Sequence, residues 1–235
     1  MKITTKSVAT VDQAGCEFCG KTFIRASTLL NHSCRYKHRW LDRDRIGSRI
    51  GFKSWLQFYK TTAMHHKART QEDFIRSPYY TAFVRFGDYC ADIGAINIPR
   101  YVDWLLDGKI KVDKWRSDAI YTKYVISYLR GEDAYDAIHR SIETMIRLSA
   151  IDDIQSQDYL RSVNPNKICH VITTGKISPW VLYHSDSGKR FLSDLDGGQV
   201  KMINEYINPE LWAIKFLKEK DTVQSIKELL AAGGF

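Results

Sequence analysis

Apolar residues recur at helical spacing through most of the chain. Between residues 71 and 160, "NIPRYVDWLLDGK" opens with a capping Asn and an early Pro and stops at Gly108, and "SDAIYTKYVISYLRG" stops at Gly131. The next segment carries apolar residues on one helical face, namely Ala134, Ile138, Ile142, Met145 and Leu148. "NPELWAIKFLKEK" and "DTVQSIKELLAAGGF" return to the same spacing. The pattern therefore predicts a mainly α fold with minor β structure.

The pattern changes after about residue 160. "NKICHVITTGKISPWVLYHSDSGKRFLSDLDGG" combines a short β-branched run with several turn signals. Such a combination favours strands over helices, so we predict a small hairpin near 168–184, or an irregular platform. Earlier in the chain, Trp55 and the aromatic residues that follow it have amphipathic helical spacing and are predicted to be core residues.

Composition restricts the class of protein. The 235 residues are 44% hydrophobic and 12% aromatic, a composition typical of folded domains. No apolar run approaches the eighteen or so residues that a membrane span needs, and the N-terminus lacks the apolar stretch of a secretory signal. Three of the five cysteines cluster near the N-terminus, which favours a metal site over a disulfide framework. We expect a cytoplasmic protein without a membrane segment.

The net charge of +8 is concentrated in one segment. Residues 20–70 contain twelve Lys and Arg residues but only two acids, Asp42 and Asp44. The remaining residues are close to neutral. Such asymmetry favours contact with a polyanion, whereas the alternative is a solvated helical face.

The stretch "CEFCGKTFIRASTLLNH" at residues 16–32 has the spacing of a metal-binding module. Two residues separate Cys16 from Cys19, so one tight turn can present both thiolates to a tetrahedral Zn²⁺. With Phe23, Leu29 and His32 the pattern resembles the first three-quarters of a Cys2His2 zinc finger. The resemblance implies that Phe23 and Leu29 form its small core and that His32 is its first helical ligand.

The fourth ligand departs from the pattern of that family. His38 lies within the usual spacing after His32, whereas Cys34 does not, because residues i and i+2 diverge on a regular helix. Cys34 ligates only if the helix ends near His32 and the chain turns back. Thiolate is the stronger zinc ligand, so the sequence favours Cys34 slightly, with His38 as the alternative.

A nucleic-acid surface is predicted on and after the finger. By resemblance to DNA-reading fingers, base contacts fall on Arg25, Thr28 and Asn31. Phosphate contacts are predicted for the basic segment that follows, where Tyr36 and Trp40 are interleaved as possible base-stacking residues. These cations are Arg35, Lys37, Arg39, Arg43, Arg45 and Arg49. DNA is the expected ligand, with RNA and single strands left open.

The predicted organisation has three parts: a zinc finger and basic helix in 1–45, a connecting helical segment in 46–70 and a helical body in 71–235. Stretches such as "IGFKSWLQFY" and "SPYYTAFVRFG" resemble uncharacterised zinc-finger proteins of large tailed phages. That resemblance implies an infected bacterial cytoplasm rather than a defined activity.

We therefore expect a non-enzymatic, nucleic-acid-binding accessory protein in DNA replication, recombination or transcription. A protein partner is expected to bind the helical body or the C-terminal tail. The alternative is a structural or adaptor protein that uses its finger for folding and protein docking. The enzymatic alternative is a metal-dependent nuclease, for which the acid pairs Asp42/Asp44, Asp152/Asp153 and Asp194/Asp196 are candidate ligands.

Overall fold

The fold is mainly α-helical, as predicted. The computed structural model describes residues 14–62 and 68–235. Parts of the predicted segments 1–45 and 46–70 lie outside the described residues. Contacts group the chain into two compact units, Met1–Asp88 and Tyr89–Phe235.

The first unit begins with a small hairpin and continues as helices. Strand β1 pairs with β2 antiparallel, with Ala14 opposite Phe23. A 3-10 turn separates α2 from α3, and the boundary between the two units falls within α5. The elements are β1 (Ala14–Gly15), β2 (Thr22–Phe23), α1 (Ala26–Leu30), α2 (Arg35–Leu41), α3 (Ile46–Thr62), α4 (Gln71–Arg76) and α5 (Tyr80–Asp92).

Helices α3 and α5 cross at glycines. A Cβ added at Gly51 would lie 2.6 Å from the carbonyl oxygen of Phe83, and one added at Gly87 would lie 2.0 Å from the carbonyl oxygen of Gly47. Both obstacles are backbone atoms, which have no alternative rotamer. The two helix backbones approach this closely because the side chains between them are single hydrogens.

Aromatic side chains form the core beside this crossing. Trp55 of α3 is 1% exposed, and its ring centroid lies 5.3 Å from that of Phe74 in α4. Phe58 packs 5.6 Å from Phe83. The prediction that the aromatic residues from Trp55 onwards are core residues is consistent with these contacts. Helix α4 itself starts at a capping box, in which Thr70 and Asp73 each accept from the other's backbone N–H.

The second unit consists of helices and 3-10 turns. Several helices begin with a capping side chain followed by proline, which supplies a hydrogen-bond acceptor and a preset φ angle at the first turn. The helices are α6 (Ile98–Asp107), α7 (Asp118–Gly131), α8 (Ala134–Asp152), α9 (Tyr159–Ser162), α10 (Pro165–Thr173), α11 (Pro179–His184), α12 (Asp186–Ser193), α13 (Gly197–Ile207), α14 (Pro209–Lys218) and α15 (Lys220–Ala232).

A buried ion pair connects α7, α8 and the start of α11. The carboxylate of Glu132 accepts from the guanidinium of Arg140 and, at 3.1 Å, from the Ser178 hydroxyl. Arg140 also donates to the carbonyl of Gly175 at 3.0 Å. The Glu132 side chain is only 2% exposed, so these hydrogen bonds replace the water that burial removes.

The predicted hairpin near 168–184 is wrong. Helices α10 and α11 occupy that segment, each started by a capping residue and a proline: Asn164 with Pro165, and Ser178 with Pro179. The β-branched run fills the buried face of α10, where Ile172 is 0% exposed. Burial on a helix therefore outweighs the β propensity of these residues.

The C-terminal residues turn back onto α15. The backbone N–H of Phe235 donates to the Leu230 carbonyl at 3.0 Å, and Gly234 has the positive φ that this turn requires. Elsewhere, Cys90 and Cys169 are buried in the core of the second unit. Among the described residues, no helix has both the length and the apolar character needed to cross a membrane.

Candidate metal centre and basic surface

The hairpin turn presents the first two cysteines. The N–H of Cys16 donates to the carbonyl of Lys21, and the N–H of Gly20 donates to the carbonyl of Cys16, both at 2.8 Å. Gly20 has a φ of 71°, a left-handed conformation that favours glycine. These bonds close a tight turn that holds Cys16 and Cys19 on one side.

The helix of the finger is short, and this brings in the fourth side chain. Helix α1 has five residues and ends at Leu30, before His32. The chain then turns, and Cys34 becomes the N-cap residue of α2 with an extended backbone. Cys34 can be a ligand only if the helix ends near His32. The structure meets this requirement, because His32 and Cys34 do not share a regular helix.

Cys16, Cys19, His32 and Cys34 form one cluster. Their ligand atoms all lie within 4.8 Å of one another, and the Cys19 sulfur is 3.2 Å from Nε2 of His32. Four ligands placed about 2.3 Å from a zinc ion at tetrahedral angles are themselves about 3.8 Å apart. The arrangement is thus compatible with a Cys3His zinc finger. His38, the alternative ligand, is an exposed residue of α2 outside the cluster.

The surroundings of the cluster also suit a cation. A hydrogen bond from the Cys19 backbone lowers the pKa of the Cys16 thiol. The pKa of Cys19 is raised, because burial and the nearby sulfurs of Cys16 and Cys34 outweigh a backbone hydrogen bond from Lys21. Neighbouring thiolates repel one another, and a divalent cation between them removes that repulsion.

The predicted base-contacting residues are exposed on the finger. Arg25 directly precedes α1, Thr28 lies within it and Asn31 caps its C-terminal end. None of the residues of α1 is buried. The helix therefore offers only a short surface, and one finger spans about three base pairs.

The predicted phosphate-contacting cations divide into two groups. Arg35, Lys37, Arg45 and Arg49 are exposed. Arg39 and Arg43 are partly buried and make contacts within the first unit. Arg39 donates to the Ile75 carbonyl at 2.7 Å and lies 4.3 Å over the ring of Tyr80, and burial lowers the pKa of its guanidinium.

Arg43 likewise makes contacts within the chain. It donates to the Trp40 carbonyl at 2.9 Å, lies 4.7 Å over the ring of Trp40 and is 3.5 Å from the carboxylate of Asp44. Cations engaged in this way are less available to phosphates. The basic segment itself is not one helix, since α2, a 3-10 turn and the start of α3 share it.

The two aromatic residues interleaved with these cations line a cleft of about 390 Å³. The guanidinium of Arg35 lies 4.8 Å from the centroid of the Tyr36 ring, and Arg43 covers Trp40. Two acids, Glu17 and Glu72, and one cation, Arg76, also line the cleft. The rings of Tyr36 and Trp40 are thus covered by arginines of the same chain.

The acids predicted as nuclease ligands do not belong to the Cys3His cluster. Asp152 is paired with Lys167 at 2.5 Å, and Asp196 caps α13. Within residues 14–62 and 68–235, one group of three or more His, Cys, Asp or Glu side chains is close enough to share a metal ion, and it is the Cys3His cluster.

Comparison of the chain with protein-family models, with curated proteins and with solved structures finds no match. The site geometry and the charge distribution therefore carry the functional argument.

Proposed function

We propose that this chain is a zinc-containing, nucleic-acid-binding accessory protein. The observation that carries the proposal is the position of the charge. Residues 1–88 contain 16 Lys and Arg against seven Asp and Glu, a net charge of +9. Residues 89–235 contain 19 against 20, a net charge of −1. The whole cation excess belongs to the unit that contains the Cys3His cluster.

Zinc and the cations have different tasks in this proposal. Zn²⁺ bound by Cys16, Cys19, His32 and Cys34 stabilises the short hairpin and α1, which are too small to fold alone. Exposed cations such as Lys37 and Arg49 neutralise phosphates. Arg25, Thr28 and Asn31 add limited base contacts, because one finger gives a small interface.

In this proposal the second unit binds a partner protein. Its helices bind a protein of DNA replication, recombination or transcription, so that the basic unit is delivered to nucleic acid. The stretches that resemble phage zinc-finger proteins support an origin in a phage and a location in the cytoplasm of the infected bacterium.

Exposed apolar residues on the finger favour the adaptor as a second candidate. Ile24, two residues before α1, is 77% exposed, and Leu30, the last residue of α1, is 85% exposed. Large apolar side chains at such exposure suit a protein interface better than a phosphate backbone. In this alternative the finger is a metal-folded docking element.

A salt series distinguishes the two candidates. Binding of a labelled duplex DNA is measured between 50 and 200 mM salt, roughly the range over which phosphate contacts weaken by orders of magnitude. The test variant is Lys37→Ala/Arg45→Ala/Arg49→Ala, which keeps the partly buried Arg39 and Arg43. The matched control replaces three exposed lysines of the second unit, Lys111, Lys123 and Lys201, by Ala.

We expect the affinity of the wild-type protein for DNA to fall steeply with salt. We also expect the test variant to bind more weakly than wild type and the control to bind as wild type does. Absence of binding by zinc-loaded wild-type protein at both salt concentrations overturns it and favours the adaptor. Equal losses in the test variant and the control would also contradict it, because binding would then depend on total charge rather than on the basic unit.

A further inference from the structure

Helix α3 has two opposite faces of different character. The buried face contains Gly47, Gly51, Ser54 and Trp55. At about 100° per residue, Arg49, Lys53 and Lys60 lie on the opposite side, within an arc of about 40°. All three are exposed, and the sequence Ile46–Thr62 contains no Asp or Glu.

Arg45 extends this row at the start of the helix. Its carbonyl accepts from the backbone N–H of Arg49 at 2.9 Å, so it occupies the turn directly before α3. With a rise of about 1.5 Å per residue, the row from Arg45 to Lys60 is about 22 Å long. Among the described residues, none of these four cations lies within salt-bridge distance of a carboxylate.

The aromatic residues of α3 are engaged in packing and do not offer a stacking platform. The Phe52 ring lies 5.6 Å from Phe74, and Trp55 and Tyr59 lie 5.0 Å apart. Phe58 packs against Phe83. Proteins that bind single strands combine cations with open aromatic rings on which bases stack. The exposed face of α3 has the cations without the open rings.

We propose that this face of α3, formed by Arg45, Arg49, Lys53 and Lys60, is a sequence-independent binding surface for the phosphate backbone of duplex nucleic acid. This inference rests on the proposed function and names its ligand class. A row of about 22 Å spans about six base pairs of a duplex, which offers one negative charge for about every 1.7 Å of its axis. The inference adds Lys53 and Lys60 to the predicted phosphate-contacting cations, which end at Arg49 in the sequence analysis.

The test compares wild type with Lys53→Ala/Lys60→Ala. Binding is measured with two unrelated duplex DNAs, a duplex RNA and a single-stranded oligothymidylate of equal length, over a salt series. Matched controls are Lys53→Arg/Lys60→Arg, which keeps the charge, and Lys123→Ala/Lys201→Ala, which removes two exposed helical lysines of the second unit. Circular dichroism verifies that every variant retains the wild-type helix content.

The inference expects the two duplex DNAs to bind with similar affinity and more tightly than the single strand. Each lost phosphate contact lowers the slope of log affinity against log salt by about 0.9, so the double alanine variant loses about 2 in slope. Both controls keep the wild-type slope. Tighter binding of duplex RNA than of duplex DNA also supports the proposed surface, and it identifies RNA as the preferred duplex.

Two results overturn the inference while the proposed function survives. One is a wild-type slope in Lys53→Ala/Lys60→Ala while the wild-type protein binds duplex DNA with steep salt dependence. The other is tighter binding of the single strand than of the duplexes. If wild type binds no nucleic acid at all, the proposed function itself is overturned, and the inference falls with it.

Discussion

Cys34 and His38 lie one turn apart at the start of α2, yet only Cys34 belongs to the metal cluster. Cys34 is 2% exposed, whereas His38 faces solvent. We therefore expect Cys34→Ser to bind zinc much more weakly than wild type, since a thiolate ligand is lost. His38→Ala should retain one zinc per chain. Metal content after purification, with zinc release to a colorimetric chelator, measures both.

The same pair of variants distinguishes a ligand from a residue needed for folding. Cys34→Ser should regain zinc only at much higher metal concentration, because three ligands remain. If His38→Ala loses zinc while Cys34→Ser retains it, the fourth ligand is His38 and the interpretation of the cluster is wrong.

His184 is a second residue whose surroundings determine its chemistry. Burial lowers its pKa to about 4, and Lys227 and Lys189 add to this effect. Its Nε2 is buried without a hydrogen-bond partner in the described structure, and its ring packs 4.4 Å from Phe216. The folded protein therefore keeps this imidazole neutral, whereas the unfolded chain protonates it near pH 6.5.

The stability of the protein should therefore depend on this residue in acid. Because the folded pKa is below the unfolded value, the contribution is fully present above about pH 6.5 and is lost as the pH falls towards 4. We expect His184→Phe, which keeps an aromatic ring among Trp180 and Phe216, to show a weaker fall in unfolding free energy over that range. Urea titrations of both proteins at several pH values measure it, and parallel curves would contradict the expectation.

At the scale of elements, the crossing of α3 and α5 depends on glycine. A methyl group at Gly51 meets the backbone of Phe83, so Gly51→Ala must separate the helices or strain them. We expect a loss of about 1–3 kcal/mol, the usual cost of overpacking. Gly131→Ala is the control, because nothing lies within 4 Å of its added Cβ. It should be neutral or stabilising by about 0.5 kcal/mol in chemical denaturation.

The sequence predicted those helices whose ends are marked by local chemistry. Asn97 caps α6, which stops at Gly108, and Asp133 caps α8. The same chemistry was present at Asn164 and Ser178, but the β-branched residues between them favoured strands. Which preference prevails depends on burial against other helices, and a single sequence does not contain that information.

For the candidate site, spacing predicted what lies close along the chain. The turn fixes Cys16 and Cys19, so two ligands follow from sequence alone. The choice of Cys34 required knowing where α1 ends, which is a property of the folded chain. Similarly, charge alone does not distinguish the structural Arg39 from an exposed cation, because its contacts come from α4 and α5. The row at Lys53 and Lys60 was detectable from helical spacing.

At the scale of the whole molecule, the excess of cations and the Cys3His cluster belong to one unit, and most of the helical structure belongs to the other. The first unit has a net charge of +9, and the second is nearly neutral. A nearly neutral, helix-rich unit suits folding and protein contact, whereas the basic unit suits a polyanion. This separation makes the metal-dependent part of the fold testable apart from the rest.

Removal of the metal should unfold the finger and leave the second unit folded. The strands of the finger have two residues each, and α1 has five residues with none of them buried. These elements have too little core to persist without zinc. By contrast, α7 and α8 each bury at least four side chains, and their unit contains no part of the cluster.

Hydrogen exchange measured with and without a zinc chelator tests this expectation. Amides of residues 14–34 should lose protection in the chelator, while those of α7 and α8 keep it. Cys34→Ser without chelator serves as an independent route to the metal-free state and should show the same pattern. Retained protection in 14–34 would mean that the hairpin and α1 are held by contacts other than the metal. Lost protection in α7 and α8 would mean that the two units unfold together.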